Sequence, residues 1–322
     1  MIWISSPLAL PQTLSARESC RISRDAFDHT TTALQQLTEG QMEQAVLHAA
    51  CAMQQLARDA DETEVASAED EESETAVKEA ATARAAFETL CLLIAGDACQ
   101  EGPLVQAAYY QQGLSKWVDE QHSQADDAMA RILTKLASAL LKCNEASAAM
   151  ALQLYSLEVR LKCTDMHVAG DCLELARDLC NVAVLVPHVL AHATTQRTVS
   201  VACVVPLARA AVAHVQASEA LVRNLRQVPF LGLVLHNAAT LRAYTHSLVS
   251  ESEVLEVPRG IPLSLLQEMS QEGTLGNVAR KGFLVGAPTR VTLRKNLVQT
   301  MTCVGEAKKT KTKGKQTKKR RR

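Results

Sequence analysis

Ten positive charges fall within fifteen residues: Lys308, Lys309, Lys311, Lys313, Lys315, Lys318, Lys319, Arg320, Arg321 and Arg322. Such a run suits two kinds of contact. An importin reads it as a nuclear import signal, and nucleic-acid phosphates bind it with release of counterions. No aromatic side chain interleaves the run, so base stacking is not expected and any nucleic-acid contact would be non-specific. Two pairs elsewhere have the one-turn spacing of metal ligands, His188 with His192 and Cys163 with His167. Zinc needs about four ligands held together, and neither pair has a second pair beside it, so no metal is expected. Cys172 and Cys180 lie eight apart on an apolar face and read as buried thiols. No G-x-G-x-x-G, P-loop, H-E-x-x-H, EF-hand or G-x-S-x-G element occurs. Paired carboxylates are confined to one acidic stretch. A non-enzymatic protein without a cofactor is the expectation.

The elements that position these residues follow from composition. The 322 residues are 47% hydrophobic but only 3% aromatic, with alanine and leucine dominant. Both are strong helix formers, and alanine lets helices approach closely. The ten cysteines show no framework spacing. With no convincing signal peptide, that points to reduced thiols and an intracellular compartment. No run reaches the roughly 18 apolar residues of a membrane span, so no membrane partner is expected. The net charge of −1 conceals an asymmetry. With the ten charges of 308–322 set aside, 24 basic residues face 35 acidic ones, a net of about −11.

Residues 1–24, with Arg17, Arg21 and Arg24, read as a disordered leader; a mitochondrial transit peptide is the alternative. Helical periodicity begins near 25. Ala33, Leu34 and Leu37 stop at Gly40, and a second helix carries Met42, Ala45, Val46, Ala49, Ala52, Met53 and Leu56 on one face. Glycine at the joint supplies a left-handed turn between antiparallel helices. Residues 59–75 hold nine acids and no base, which predicts a disordered loop. Helices are predicted at about 76–94, 104–118, 128–141, 146–162, 168–186, 188–195, 201–226 and 230–248. Pro187, Pro206 and Pro229 lie near starts, and Cys143-Asn144-Glu145 forms the turn of the clearest hairpin. From 248 to 305 glycine and proline break the chain into an irregular C-terminal arm. It includes a short helix at Leu263–Met269, with Phe283–Val285 and Arg290–Leu293 as short strands or an extended segment. Residues 306–322 form a basic, disordered tail.

Hairpins that recur must stack, since one hairpin cannot bury both faces. The small residues Ala33, Gly40, Ala45, Ala49 and Ala52 resemble the pattern of the tetratricopeptide repeat (TPR) family. Tyr109-Tyr110-Gln111-Gln112-Gly113-Leu114 resembles the second helix of another repeat, with glycine for the usual alanine. The stretch Ala151–Lys162, followed by His167-Val168-Ala169 and Leu173-Glu174-Leu175-Ala176, is similar to the longer repeats of kinesin light chains. It departs at the turn, where their His-Pro-Asp is only Met166-His167. Val222-Arg223 and Ala238-Ala239 lie 63 positions after Val159-Arg160 and Leu175-Ala176, in one register. The resemblance covers about 25–247 and implies an all-α fold of antiparallel hairpins stacked as a right-handed solenoid. An ordinary helical bundle is the competing architecture.

The resemblance also implies a concave protein-binding groove. It would be lined by Phe27, Leu34 and Leu37 in the first repeat, and by Leu133, Leu136, Leu140 and Asn144 in the hairpin at 128–162; the alternative is that these leucines are core. Leucine and threonine replace the lysine and asparagine of a carboxylate clamp, which implies an apolar groove for a helix or extended peptide. The expected function is therefore a nuclear scaffold or adaptor, with the cytoplasm as the alternative location. Two competitors remain: a histone chaperone resembling the nuclear autoantigenic sperm protein family, and an RNA-associated ribosome-assembly or mitoribosomal component.

Overall fold

Alanine-rich helices account for nearly all of the described backbone. The computed structural model describes residues 1–5, 8, 22–69, 74–121, 127–166, 168–195, 201–223, 225, 228–248 and 290–319. Among these there are ten helices and no strand. No described helix is long and apolar enough to cross a membrane. The chain divides into two units, residues 7–144 and residues 1–6 with 145–322.

The unit at 7–144 holds α1 (Arg24–Thr38), α2 (Met42–Glu69), α3 (Glu74–Ala98), α4 (Pro103–Gln121) and α5 (Asp127–Lys142). Each helix packs on the next in sequence, and α1 also touches α3. The Ser23 hydroxyl caps α1 by accepting from the Ala26 N–H at 3.2 Å. At the other end Gly40 has φ +78°, and the Gln41 N–H reaches the Gln36 carbonyl at 2.8 Å. This is the left-handed glycine turn expected from the sequence, closing the hairpin with a Schellman-type bond. Ala33, Ala45, Ala49 and Ala52 are buried against Leu90, Cys91, Ile94 and Ala98 of α3. A second cluster joins Ala26, Leu56 and Phe87. Farther on, Asp97 of α3 accepts from the Tyr110 hydroxyl of α4 and pairs with Lys135 of α5, each at 2.6 Å.

The other unit holds α6 (Ala146–Cys163), α7 (Ala169–Thr195), α8 (Val201–Arg223), α9 (Leu231–Leu248) and α10 (Arg290–Lys319). Here too successive helices from α6 to α9 pack pairwise, and α7 also touches α9. Helix α10 lies on α8 and α6. Its buried stripe is Leu293, Leu297, Thr300 and Cys303, three and four apart as a single helical face requires. The α6–α7 interface is polar at its centre. Arg160 Nε pairs with Asp178 Oδ2 at 3.0 Å, while Gln153 and Ser156 donate to the same carboxylate at 3.1 and 3.2 Å. Glu174 lies between Arg160 and Arg177, and the Arg177 guanidinium stands over the Phe230 ring, 4.6 Å from its centroid.

Several sequence expectations change. Within 59–75 the backbone is helical to Glu69 and again from Glu74; alanine and glutamate favour a helix once α2 has nucleated it. Asp59 in that span is buried and anchored, accepting from the Ser23 N–H at 3.0 Å and from Gln55 at 3.1 Å. Pro187 does not begin a helix but lies inside α7, where flanking residues from Leu179 to Leu190 are nearly all buried; packing there outweighs the cost of about 3 kcal/mol for an internal proline. Arg290–Leu293 is neither strand nor extended arm but the first turn of α10, held by its buried stripe. The backbone of that helix is continuous to Lys319, within the stretch read from the sequence as a basic tail. Residues 249–289, with the segments expected at 263–269 and 283–285, lie outside the described residues.

Candidate peptide-binding site

Two asparagines interrupt otherwise apolar helix stretches, Leu179-Cys180-Asn181-Val182 in α7 and Leu235-His236-Asn237-Ala238 in α9. Both are buried. A carboxamide placed mid-helix in a core must find partners outside its own helix. Here the partners are main-chain groups of residues 1–5. The Ile4 N–H donates to Asn181 Oδ1 and Asn181 Nδ2 donates to the Ile4 carbonyl, both at 2.9 Å. Ile2 makes the same closed pair with Asn237, at 2.7 Å for its N–H and 2.6 Å for its carbonyl. Asn237 Nδ2 also approaches Cys180 Sγ at 3.3 Å.

The geometry follows from extended chain. In a strand the N–H and C=O of one residue point the same way, and residues i and i+2 repeat that direction after about 6.6 Å. One asparagine on each of α7 and α9 takes alternate residues of the segment, Asn181 holding Ile4 and Asn237 holding Ile2. Residues 1–4 are therefore not the disordered leader that the sequence suggested; four main-chain bonds order them. Ile4 is 3% exposed and Ile2 45% exposed.

The buried network beside this site orients α7. Asp178 stands one turn before Asn181, and its bonds to Gln153, Ser156 and Arg160 of α6 fix the rotation of the helix. The surroundings carry little reactive chemistry. Burial pushes the Cys180 thiol up to about 11, with the Asn237 bond working against it, and burial also pushes Cys172 up to about 11. Such thiols are un-ionised and unreactive at neutral pH. His188, two turns beyond Asn181, is shifted below the usual imidazole range, first by burial and then by the amino-terminal charge. The His192 side chain and His167 lie outside the described residues. Among the described residues no three potential ligands gather to hold a metal.

The residues expected to line a groove sit as follows. Phe27 packs against Phe87 with ring centroids 6.1 Å apart, and Leu34 and Leu37 pack onto the alanine cluster. Leu133 and Leu136 are buried and Leu140 is half-buried. Asn144 is exposed, with φ +62°, in the turn after α5. Asn181 and Asn237, which sequence reasoning missed, hold the main chain of Ile2 and Ile4. The signal for them was present: asparagine is a poor helix former, and two lie deep in apolar windows. Of the basic run, Lys308, Lys309, Lys311, Lys313, Lys315, Lys318 and Lys319 fall on the backbone of α10. Their side chains, and Arg320, Arg321 and Arg322 entirely, lie outside the described residues. Comparison of the chain with models of known protein families, with curated proteins and with solved structures finds no match in any of the three.

Proposed function

We propose that this chain is a non-enzymatic, TPR-like interaction scaffold that holds an extended polypeptide across α7 and α9, and that its basic run directs it to the nucleus. The observation that carries the reading is the double carboxamide pair on Ile2 and Ile4. Main-chain recognition of this kind accepts a range of sequences in one conformation, which suits an adaptor. The order of helix packing adds support. Contacts between neighbours, with next-but-one contacts of α1 with α3 and α7 with α9, are those that stacked hairpins make.

The test is affinity purification with two baits, the chain beginning at residue 7 and the same chain carrying Asn181→Ala and Asn237→Ala. The scaffold reading expects partners on the first bait that the second loses, with equal helicity by circular dichroism. An identical set of partners on both baits would overturn it.

A further inference from the structure

We infer that the site formed by Asn181 and Asn237 takes an extended segment of a partner protein with a buried aliphatic residue at the place of Ile4, and that residues 1–4 are the resident occupant this segment displaces. The inference rests on the scaffold reading and adds the ligand's sequence requirements.

The requirements separate by position. The main-chain bonds are indifferent to side chains, but they need an N–H at both alternate residues. Proline lacks that donor and is excluded from either place. Side-chain selection then differs between the two. Ile4 is almost wholly enclosed, whereas nearly half of Ile2 faces solvent. A charge at the Ile4 position would be taken out of water, while a charge at the Ile2 position would remain hydrated. Ser5 is exposed, so the segment leaves the site there without a further demand on its sequence. The ligand class is an extended peptide with aliphatic character at one place, tolerance two residues before it, and proline at neither.

Exchange follows from the same contacts. The asparagines present donors and acceptors that any extended chain can satisfy, so nothing in the bonds themselves favours residues 1–4 over another segment of that pattern. The resident segment belongs to the same chain, so it competes for the site intramolecularly. A free peptide must compete against that, and removing residues 1–6 must raise its apparent affinity.

Fluorescence anisotropy tests this with a labelled Met-Ile-Trp-Ile-Ser-Ser peptide and four variants: Ile2→Asp, Ile2→Pro, Ile4→Asp and Ile4→Pro. The chain beginning at residue 7 should bind the parent peptide. It should bind Ile4→Asp, Ile4→Pro and Ile2→Pro at least about tenfold more weakly, and Ile2→Asp within about threefold of the parent. The intact chain should bind the parent at least about tenfold more weakly than the shortened one, in line with that intramolecular competition. If Ile2→Asp fails as badly as Ile4→Asp, or the intact and shortened chains bind alike, the inference is overturned and the main-chain scaffold stands. If neither chain binds, or Asn181→Ala with Asn237→Ala leaves binding unchanged, both are overturned. Should the shortened chain lose its native circular dichroism, the full chain with Ile4→Asp replaces it, because that substitution releases the segment without truncation, and the same outcomes decide.

Discussion

Asn181 closes both main-chain bonds of Ile4, accepting from its N–H and donating to its carbonyl at 2.9 Å each. The two residues are 177 apart in sequence, so this pair ties the amino-terminal segment to the centre of α7. Residues that orient α7 thereby control the site without touching the segment.

Arg160 and Asp178 are the first such residues. Both are buried, and the carboxylate also receives Gln153 and Ser156. Arg160→Met leaves a buried charge with its strongest partner gone and should lower unfolding stability by about 3–5 kcal/mol. The double variant Arg160→Met with Asp178→Leu should be more stable than the single one, since neither charge is then stranded. Urea denaturation of the three proteins checks this. A double variant no more stable than Arg160→Met would show that the network is not held by that pair.

His214 gives a pH dependence with a definite sign. It is fully buried in α8 with Nε2 2.9 Å from Thr300 Oγ1 of α10, and burial lowers its pKa to about 4. The Thr300 hydroxyl donates to the Asn296 carbonyl at 2.9 Å, so the imidazole donates to Thr300 and stays neutral. Unfolded, the ring takes a proton near 6.5. Below that pH the unfolded chain binds more protons than the folded one, so stability falls from about 6.5 toward about 4 and this contribution is flat above. His214→Leu should flatten that part of the curve relative to the parent. Thermal melts between pH 4 and 8 would show it; parallel curves would contradict it.

Much of this architecture was legible in the sequence, for physical reasons. The run from Ala33 to Ala52 announced a close hairpin because alanine at helical spacing and a glycine break have few other uses. Helix α10 was obscured because Val291 and Thr292 are β-branched and its buried positions, Leu293, Leu297, Thr300 and Cys303, are sparse and half polar. The site itself was hidden by brevity. Met1-Ile2-Trp3-Ile4 is too short for periodicity to register, and an asparagine in an apolar helix says that a partner exists, not which one.

Gly96 makes a local test of packing in the unit at 7–144. A Cβ there would run into the Tyr110 ring. Gly96→Ala must push that ring away and lengthen its hydroxyl's bond to Asp97, costing about 1–3 kcal/mol as overpacking does. Gly96→Ala combined with Tyr110→Leu should be less destabilised than the sum of the two single variants. Strict additivity in a double-mutant cycle would contradict the contact.

Location is tested by two truncations of a fluorescent fusion. Loss of 308–322 should move the protein from nucleus to cytoplasm, with Leu293 to Cys303 still docking α10. Mitochondrial targeting by Arg17, Arg21 and Arg24 predicts instead that only loss of 1–24 changes location. A fusion without 308–322 that stays nuclear would end the import-signal reading.

The most direct measurement of the central claim is amide exchange in protein labelled with 15N-isoleucine. The chain has six isoleucines, so few signals overlap. The Ile4 amide should exchange far more slowly than an unstructured one, and Asn181→Ala should abolish that protection while Ile94 and Ile132, inside α3 and α5, keep theirs. An Ile4 amide that exchanges at the unstructured rate in the parent protein, or stays equally protected after Asn181→Ala, would contradict the account.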